Sequence, residues 1–177
     1  MIRTLRTKAT EFRREDGQAT VEFALTLPIL FIIFMASFES GLLMVRSIML
    51  EQSVDMTMRE LRLGHFPNPT ADLLKQEICS RTVILSNCEE QIMIEMTRIS
   101  TANWSTPTTA VTCVDRAEDI QPVVNLQIGQ QNDVMLVRVC LAQDAMFPTT
   151  GIGLGLPLDA QGGYGMITST AFVTEPS

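Results

Sequence analysis

The chain has one histidine, one tryptophan and one tyrosine in 177 residues, and none of its four cysteines precedes Cys79. Each scarcity removes a class of chemistry. A Ser-His-acid or Cys-His device would have to use His65, which sits in a Gly-His-Phe-Pro break and reads as a structural or solvated side chain. Zinc needs closely spaced thiolates or imidazoles; no cysteine pair has C-x-x-C spacing and His65 is remote, so no metal site is expected. A copper site built from the 11 methionines would need convergent histidines, and these methionines read as adaptable packing groups instead. Clustered cations are also missing. Of 13 lysines and arginines, five lie in residues 1–17 beside three acids, which leaves eight against 17 acids in residues 18–177. Such an acidic body does not suit a phosphate backbone, so no nucleic acid partner is expected.

Phosphate-loop chemistry is lacking as well. The "GIGLG" at 151–155 does not have G-x-G-x-x-G spacing and runs into Pro157, so a flexible loop suffices there. Glu89 with Glu90, and Asp115 with Glu118 and Asp119, are acids in polar loops that nothing orients as acid and base. Trp104, in a Thr-rich stretch, reads either as an exposed contact or as a buried ring closing the fold. No catalytic residue, cofactor or small-molecule substrate is implied. The expectation is a protein that is not an enzyme.

Apolar sequence, by contrast, is abundant. The run from Phe23 to Phe38 is broken only by Thr26, Pro28 and Ser37, and Arg3, Arg6, Lys8, Arg13 and Arg14 precede it. A secretory h-region spans about 7–15 residues, whereas the run from Phe23 to Val45 would rise about 34 Å as a helix, enough for a hydrocarbon core of about 30 Å. The expected transmembrane part is therefore about 23–45. The positive flank keeps residues 1–17 cytoplasmic and places everything beyond Arg46 outside.

The helical pattern continues past the apolar run. Leu43, Leu50, Val54, Met58 and Leu61 recur at four- and three-residue steps, with Ser47 filling the gap in the stripe. Gly64 reads as the cap that ends this helix, and Pro67 and Pro69 prevent its continuation. Pro28 should kink the helix or loosen one turn. The sequence thus predicts a long helix over 18–63 and a separate head over 64–177. In the head, residues 71–85 read as a short helix. Strands are predicted over 91–99, 109–114, 123–128, 134–142 and 165–173. Helices first and strands last give an α+β fold, with an antiparallel sheet packed on the outer half of the long helix.

Cys79, Cys88, Cys113 and Cys140 all lie in the head, and an even count in an exported domain reads as two disulfides. Three connectivities are open. Cys79 with Cys88 and Cys113 with Cys140 is preferred, because the first would clip a helix to the following loop and the second would join two strand candidates.

Glu22 is out of place, a carboxylate in the first turns of a membrane helix, where an unpaired charge costs a few kcal/mol. It could simply sit at the inner interface. Glu39 and Gly41, about one bilayer thickness further, pose the same question. Glu39 either marks the outer water interface, the simpler reading, or contacts a partner helix across the gap left by Gly41.

A basic leader ending in Gly17, then four residues, Glu22 and a long apolar helix resembles the type IV prepilin signal. The stretch "GQATVEFALTLPILFIIFMASFESG" carries a Gly, a Val-Glu-Phe-Ala-Leu core, a Leu-Pro pair and an acid-X-Gly near the helix exit. With the ending "GMITSTAFVTEP", it resembles TadE-like pseudopilins of the tight-adherence (Tad/Flp, type IVc) pilus. That resemblance implies a pilin-like fold and cleavage of residues 1–17 by a prepilin peptidase acting at Gly17 and Gln18, with Glu22 then fifth in the mature chain. It implies insertion in the bacterial inner membrane by the apolar stem, with a periplasmic head, followed by assembly with other pilin or pseudopilin subunits and the inner-membrane assembly platform, into a pilus or its initiation complex. Phe23 follows Glu22 where the main pilins carry Tyr, which favours a minor subunit. Glu22, Pro28, Glu39 and Gly41 are the candidate assembly residues. In such an assembly the Glu22 carboxylate would meet a new amine at Gln18 between adjacent stems, in a medium that screens little. Two other classes stand beside this reading: an uncleaved single-pass protein with an outer partner- or ligand-binding domain, and a secreted hydrolase with an ordinary signal peptide.

Overall fold

The computed structural model describes residues 16–175 except 119, 123, 150 and 160. The predicted leader thus lies outside the described residues apart from its last two positions, as do Asp119 and Val123. Helix α1, Asp16–Arg62, runs unbroken through Pro28. Its apolar first half keeps every backbone hydrogen bond inside the segment except the one Pro28 cannot donate, the arrangement that lipid demands. Gly64, at φ 74°, ends it: the Gly64 N–H donates to the Leu61 carbonyl and the His65 N–H to the Glu60 carbonyl, both at 3.1 Å. This reciprocal cap needs a left-handed residue, which glycine adopts without a Cβ penalty.

Helix α2, Ala71–Ser80, starts at Thr70, whose hydroxyl accepts the Leu73 N–H at 3.3 Å. Its apolar face buries Leu74 and Ile78. A short helix α3, Cys88–Gln91, leads straight into strand β1, Ile92–Ile99. Strands β2, Val134–Asp144, and β3, Gly163–Val173, complete an antiparallel sheet of order β1-β2-β3. A five-residue helix α4, Gly151–Gly155, lies in the β2–β3 connection. The fold is α+β, a long apolar helix followed by a head with short helices and a three-stranded antiparallel sheet.

The pleat assigns the two faces. Ile92, Ile94 and Met96 on β1 align through the register with Leu141, Val139 and Val137 on β2, and Leu141 in turn with Met166 on β3. All belong to one core with Leu50, Val54 and Met58 of α1 and Leu74 and Ile78 of α2. The buried stripe of α1 is Glu39, Arg46, Leu50, Ser53, Val54, Thr57 and Met58, flanked by Leu43 and Leu61. Arg46 therefore fills the gap in the stripe; Ser47 is exposed, one residue round the helix. On the other face the Glu95 carboxylate and Arg138 guanidinium pair across the strands at 2.7 Å, and Arg138 also donates to the Thr109 carbonyl at 2.7 Å.

Two strand expectations fail. Residues 109–114 and 124–128 are irregular, Val123 lying outside the described residues, and among them only Leu126 forms an isolated bridge, parallel, to Met96. The 109–117 segment crosses the outer face of the sheet instead of joining its edge, held by Arg138, by Cys113–Cys140 and by Arg116. Similarly, residues 151–155 are helical, not a flexible loop. The disulfides are Cys79–Cys88, which closes α2 onto α3, and Cys113–Cys140. Each closed loop contributes about 2–4 kcal/mol.

Arg116 binds Asp159 through both carboxylate oxygens, at 2.8 and 2.9 Å, and Asp144 at 2.6 Å. This guanidinium, aided by the Gly163 and Gln161 N–H groups, lowers the Asp159 carboxyl to about 2. A depressed carboxylate stabilises the fold above its ordinary value of 3.8, and that contribution is lost as pH falls toward 2. In pH-dependent thermal unfolding of the full chain in detergent, Asp159→Asn should lower Tm at neutral pH. Its Tm should also fall less steeply than that of the parent between pH 4 and 2; parallel curves would contradict the assignment.

Candidate assembly stem and its junction with the head

One described helix, Gln18–Arg62, is long and apolar enough to cross a membrane, and none of its most apolar window is buried by the rest of the chain. Val21, Phe23, Leu25, Ile29 to Phe34 and Phe38 stand exposed around the whole circumference. A helix that is apolar on all sides needs an apolar surround. Glu22 is exposed within this stretch, and its carboxylate accepts the side-chain amide of Gln18 one turn earlier at 3.1 Å. Gly17 lies within α1, immediately before Gln18. Pro28 and Gly41 are exposed, and a Cβ at Gly41 would meet nothing within 4 Å in its own chain.

Glu39 behaves otherwise. Its side chain is 0% exposed, and its two carboxylate oxygens accept the consecutive backbone N–H groups of Met146 and Phe147 at 3.1 and 3.0 Å. Within the chain it faces the head, not water. The neighbouring Phe38 ring meets Phe147 edge-on, with centroids 6.2 Å apart. Two turns outward on the same face, Arg46 donates to the Asp144 carbonyl and to the Tyr164 hydroxyl, each at 2.9 Å. Glu39 and Arg46, seven residues apart, thus grip the end of β2 and the chain leaving it. Burial pushes the Tyr164 phenol up, while its bond from Arg46 opposes that shift.

Sequence reasoning treated Arg46 as a flanking charge and missed its role. The available signal was its register: between Leu43 and Leu50 it falls on the apolar stripe, where a cation needs a buried partner. The other candidates do not come together. His65 is exposed beside the Gly64 cap, and Trp104 is exposed at 66%. Glu89 and Glu90 are exposed in the first turn of α3. A groove of about 400 Å³ at the far end of α1, lined by Leu61, Phe66, Leu126 and Phe172 among others, has Arg62 and Glu175 as its charged groups, paired at 3.3 Å.

Residues 17–59 match the family model of TadE-like proteins. The chain carries a TadE-like stem. That match covers Gly17, Gln18, Glu22, Pro28, Glu39, Gly41 and Arg46 and stops before the head, so all the cysteines lie beyond it. No curated protein and no solved structure matches the chain. The matched segment contains the one helix among the described residues that is long and apolar enough to cross a membrane, consistent with a membrane-anchored component of a Tad pilus system.

If the Glu39 carboxylate fastens head to stem, Glu39→Ala should lower the unfolding free energy by about 2–3 kcal/mol, because two inward N–H groups lose a charged acceptor. Glu39→Gln, which keeps one acceptor oxygen, should lose roughly half as much. Thermal unfolding of the detergent-solubilised full chain reads both; an unchanged Tm for the alanine variant would contradict the clamp.

Proposed function

We infer that this protein is a minor, non-enzymatic pseudopilin of a Tad (type IVc) pilus, delivered to the inner membrane by its basic leader and apolar stem. Prepilin peptidase cuts between Gly17 and Gln18 on the cytoplasmic side. The mature subunit keeps the stem in the bilayer and its head in the periplasm. It then assembles with other pilin or pseudopilin subunits and the inner-membrane platform, in a pilus or its initiation complex.

The observation that carries this reading is the two-part use of one helix within the TadE-like match. Residues 21–34 are almost wholly exposed, while residues 39–61 form the spine of the head. A stem bare on every side is suited to lipid first and to neighbouring stems afterwards, exchanging one apolar surround for another. Gly41 supports the second step: it costs about 1 kcal/mol of helix propensity relative to Ala and accommodates nothing in its own chain. Close approach of a neighbouring backbone is what a glycine there permits. Glu22 supports it too, since an exposed carboxylate in lipid needs a cation, and cleavage creates one at Gln18. The disulfides and Arg116 cluster serve head stability and leave assembly to the stem.

The mature N-terminus tests the reading. Mass spectrometry of protein extracted from membranes should find a start at Gln18, and a Gly17→Leu variant should retain the leader. An intact Met1 in the parent protein would favour an uncleaved anchored binding protein, and a start beyond Phe38 a secreted one; either would overturn the pseudopilin reading.

A further inference from the structure

The connection from β2 to β3 carries a feature that neither catalysis nor the TadE-like match accounts for. Residues 145–158, AMFPTTGIGLGLPL, contain no charged side chain, although 19% of the whole chain is charged. The segment is bounded by Asp144 and Asp159, both bound to Arg116. Between these polar posts it is fastened to the stem at one level. Glu39 holds the Met146 and Phe147 N–H groups, Phe147 packs on Phe38, and α4 lies against α1. Gly153 lets α4 close on the segment's own start, since a Cβ there would collide with the Phe147 carbonyl. The result is a docked tip, not a loose loop.

That tip exposes apolar side chains, Met146 at 50% and Ile152 at 36%, in the segment whose Phe147 packs on Phe38 of the stem, itself 50% exposed. Its height along the stem decides what it meets. With Glu22 at the inner boundary, a hydrocarbon core of about 30 Å at 1.5 Å per residue ends near residue 42. The tip is fixed at residues 38–39, at or just inside the outer boundary. Backbone exposed to lipid must have its polar groups satisfied, and the Glu39 carboxylate supplies acceptors for the two N–H groups that lead into the tip.

We propose that residues 145–158 form a second membrane contact, an apolar tip seated in the acyl–headgroup boundary of the outer leaflet beside the stem. Zwitterionic lipid is the occupant, favoured over a protein by continuity with the spanning surface and by the absence of charge across the whole segment. Two contacts, one spanning and one interfacial, fix the tilt and rotation of the head on the membrane, which a single helix leaves free. This rests on the stem spanning the bilayer, and the experiment separates the two claims.

The full chain, with Trp104→Phe to remove native emission, is placed in phosphatidylcholine vesicles containing lipids brominated at shallow or deep acyl positions. Single tryptophans are introduced by Met146→Trp, by Ile152→Trp and, as a stem control, by Phe31→Trp. The control should lose emission chiefly to deep bromines. Both tip tryptophans should lose it chiefly to shallow bromines and emit blue-shifted relative to detergent-free unfolded protein. Quenching of the control with neither tip residue quenched would overturn the proposal and leave the membrane stem standing, whether the tip emission were red, as in water, or blue, as under a second copy. Failure to quench the control would remove both.

Discussion

The whole architecture turns on a carboxylate and two backbone amides. Glu39 lies in the first turn of α1 to be covered by the head, and the Met146 and Phe147 N–H groups it binds follow closely on Asp144, where β2 ends. A buried carboxylate with no acceptor-hungry neighbours would be costly, and consecutive N–H groups leaving a strand would be orphaned. Each solves the other's problem. Arg46 repeats the arrangement two turns on with opposite polarity, donating where Glu39 accepts. Together they fasten the head at one height and one rotation about the stem, so that the apolar packing of Leu50, Val54 and Met58 has a fixed register to build on.

One helix consequently serves two solvents. Between Phe23 and Phe38 its side chains are apolar apart from Thr26 and Ser37 and mostly exposed, the composition of a lipid-facing rod. From Glu39 outward it is amphipathic, with one stripe buried and Glu51, Gln52, Asp55 and Arg59 facing water. The change occurs within one turn and coincides with the level at which the β2–β3 connection docks. Stem position and head position are therefore a single structural variable, and force or displacement applied to the stem reaches the sheet through Asp144 and Tyr164 without an intervening linker.

Much of this was legible, for physical reasons that differ by element. The stem was visible because a long uncharged run has few stable alternatives to a spanning helix. Gly64 followed by Pro67 and Pro69 marked its end; β3 alternates in burial as a half-buried strand does, β1 does so in part, and the central β2 is a nearly continuous apolar run covered on both faces. The preferred cysteine pairing is the one found. Residues 109–114 misled because threonine- and valine-rich composition satisfies strand preference, whereas a strand also needs an open edge to pair with; residues 124–128 do reach the free edge of β1, bonding Met96 through Asn125 and Gln127, but extend no ladder beyond that bridge. The 109–117 stretch lies over a sheet face instead. Glu39 was the deeper failure. Its partners are main-chain N–H groups more than a hundred residues away, and a backbone donor leaves no trace in side-chain pattern. Seen from sequence, an acid at the end of an apolar run marks a water boundary; in the fold it marks the attachment of the head.

Amide hydrogen exchange of the intact, detergent-solubilised protein tests the central claim most directly, because it reports the two amides individually. The account predicts that Met146 and Phe147 exchange as slowly as the α1 amides around Leu50 and are released with them in one cooperative opening. Exchange of those two amides at the rate of a solvated loop, while α1 stays protected, would show that head and stem are not joined there and would contradict it.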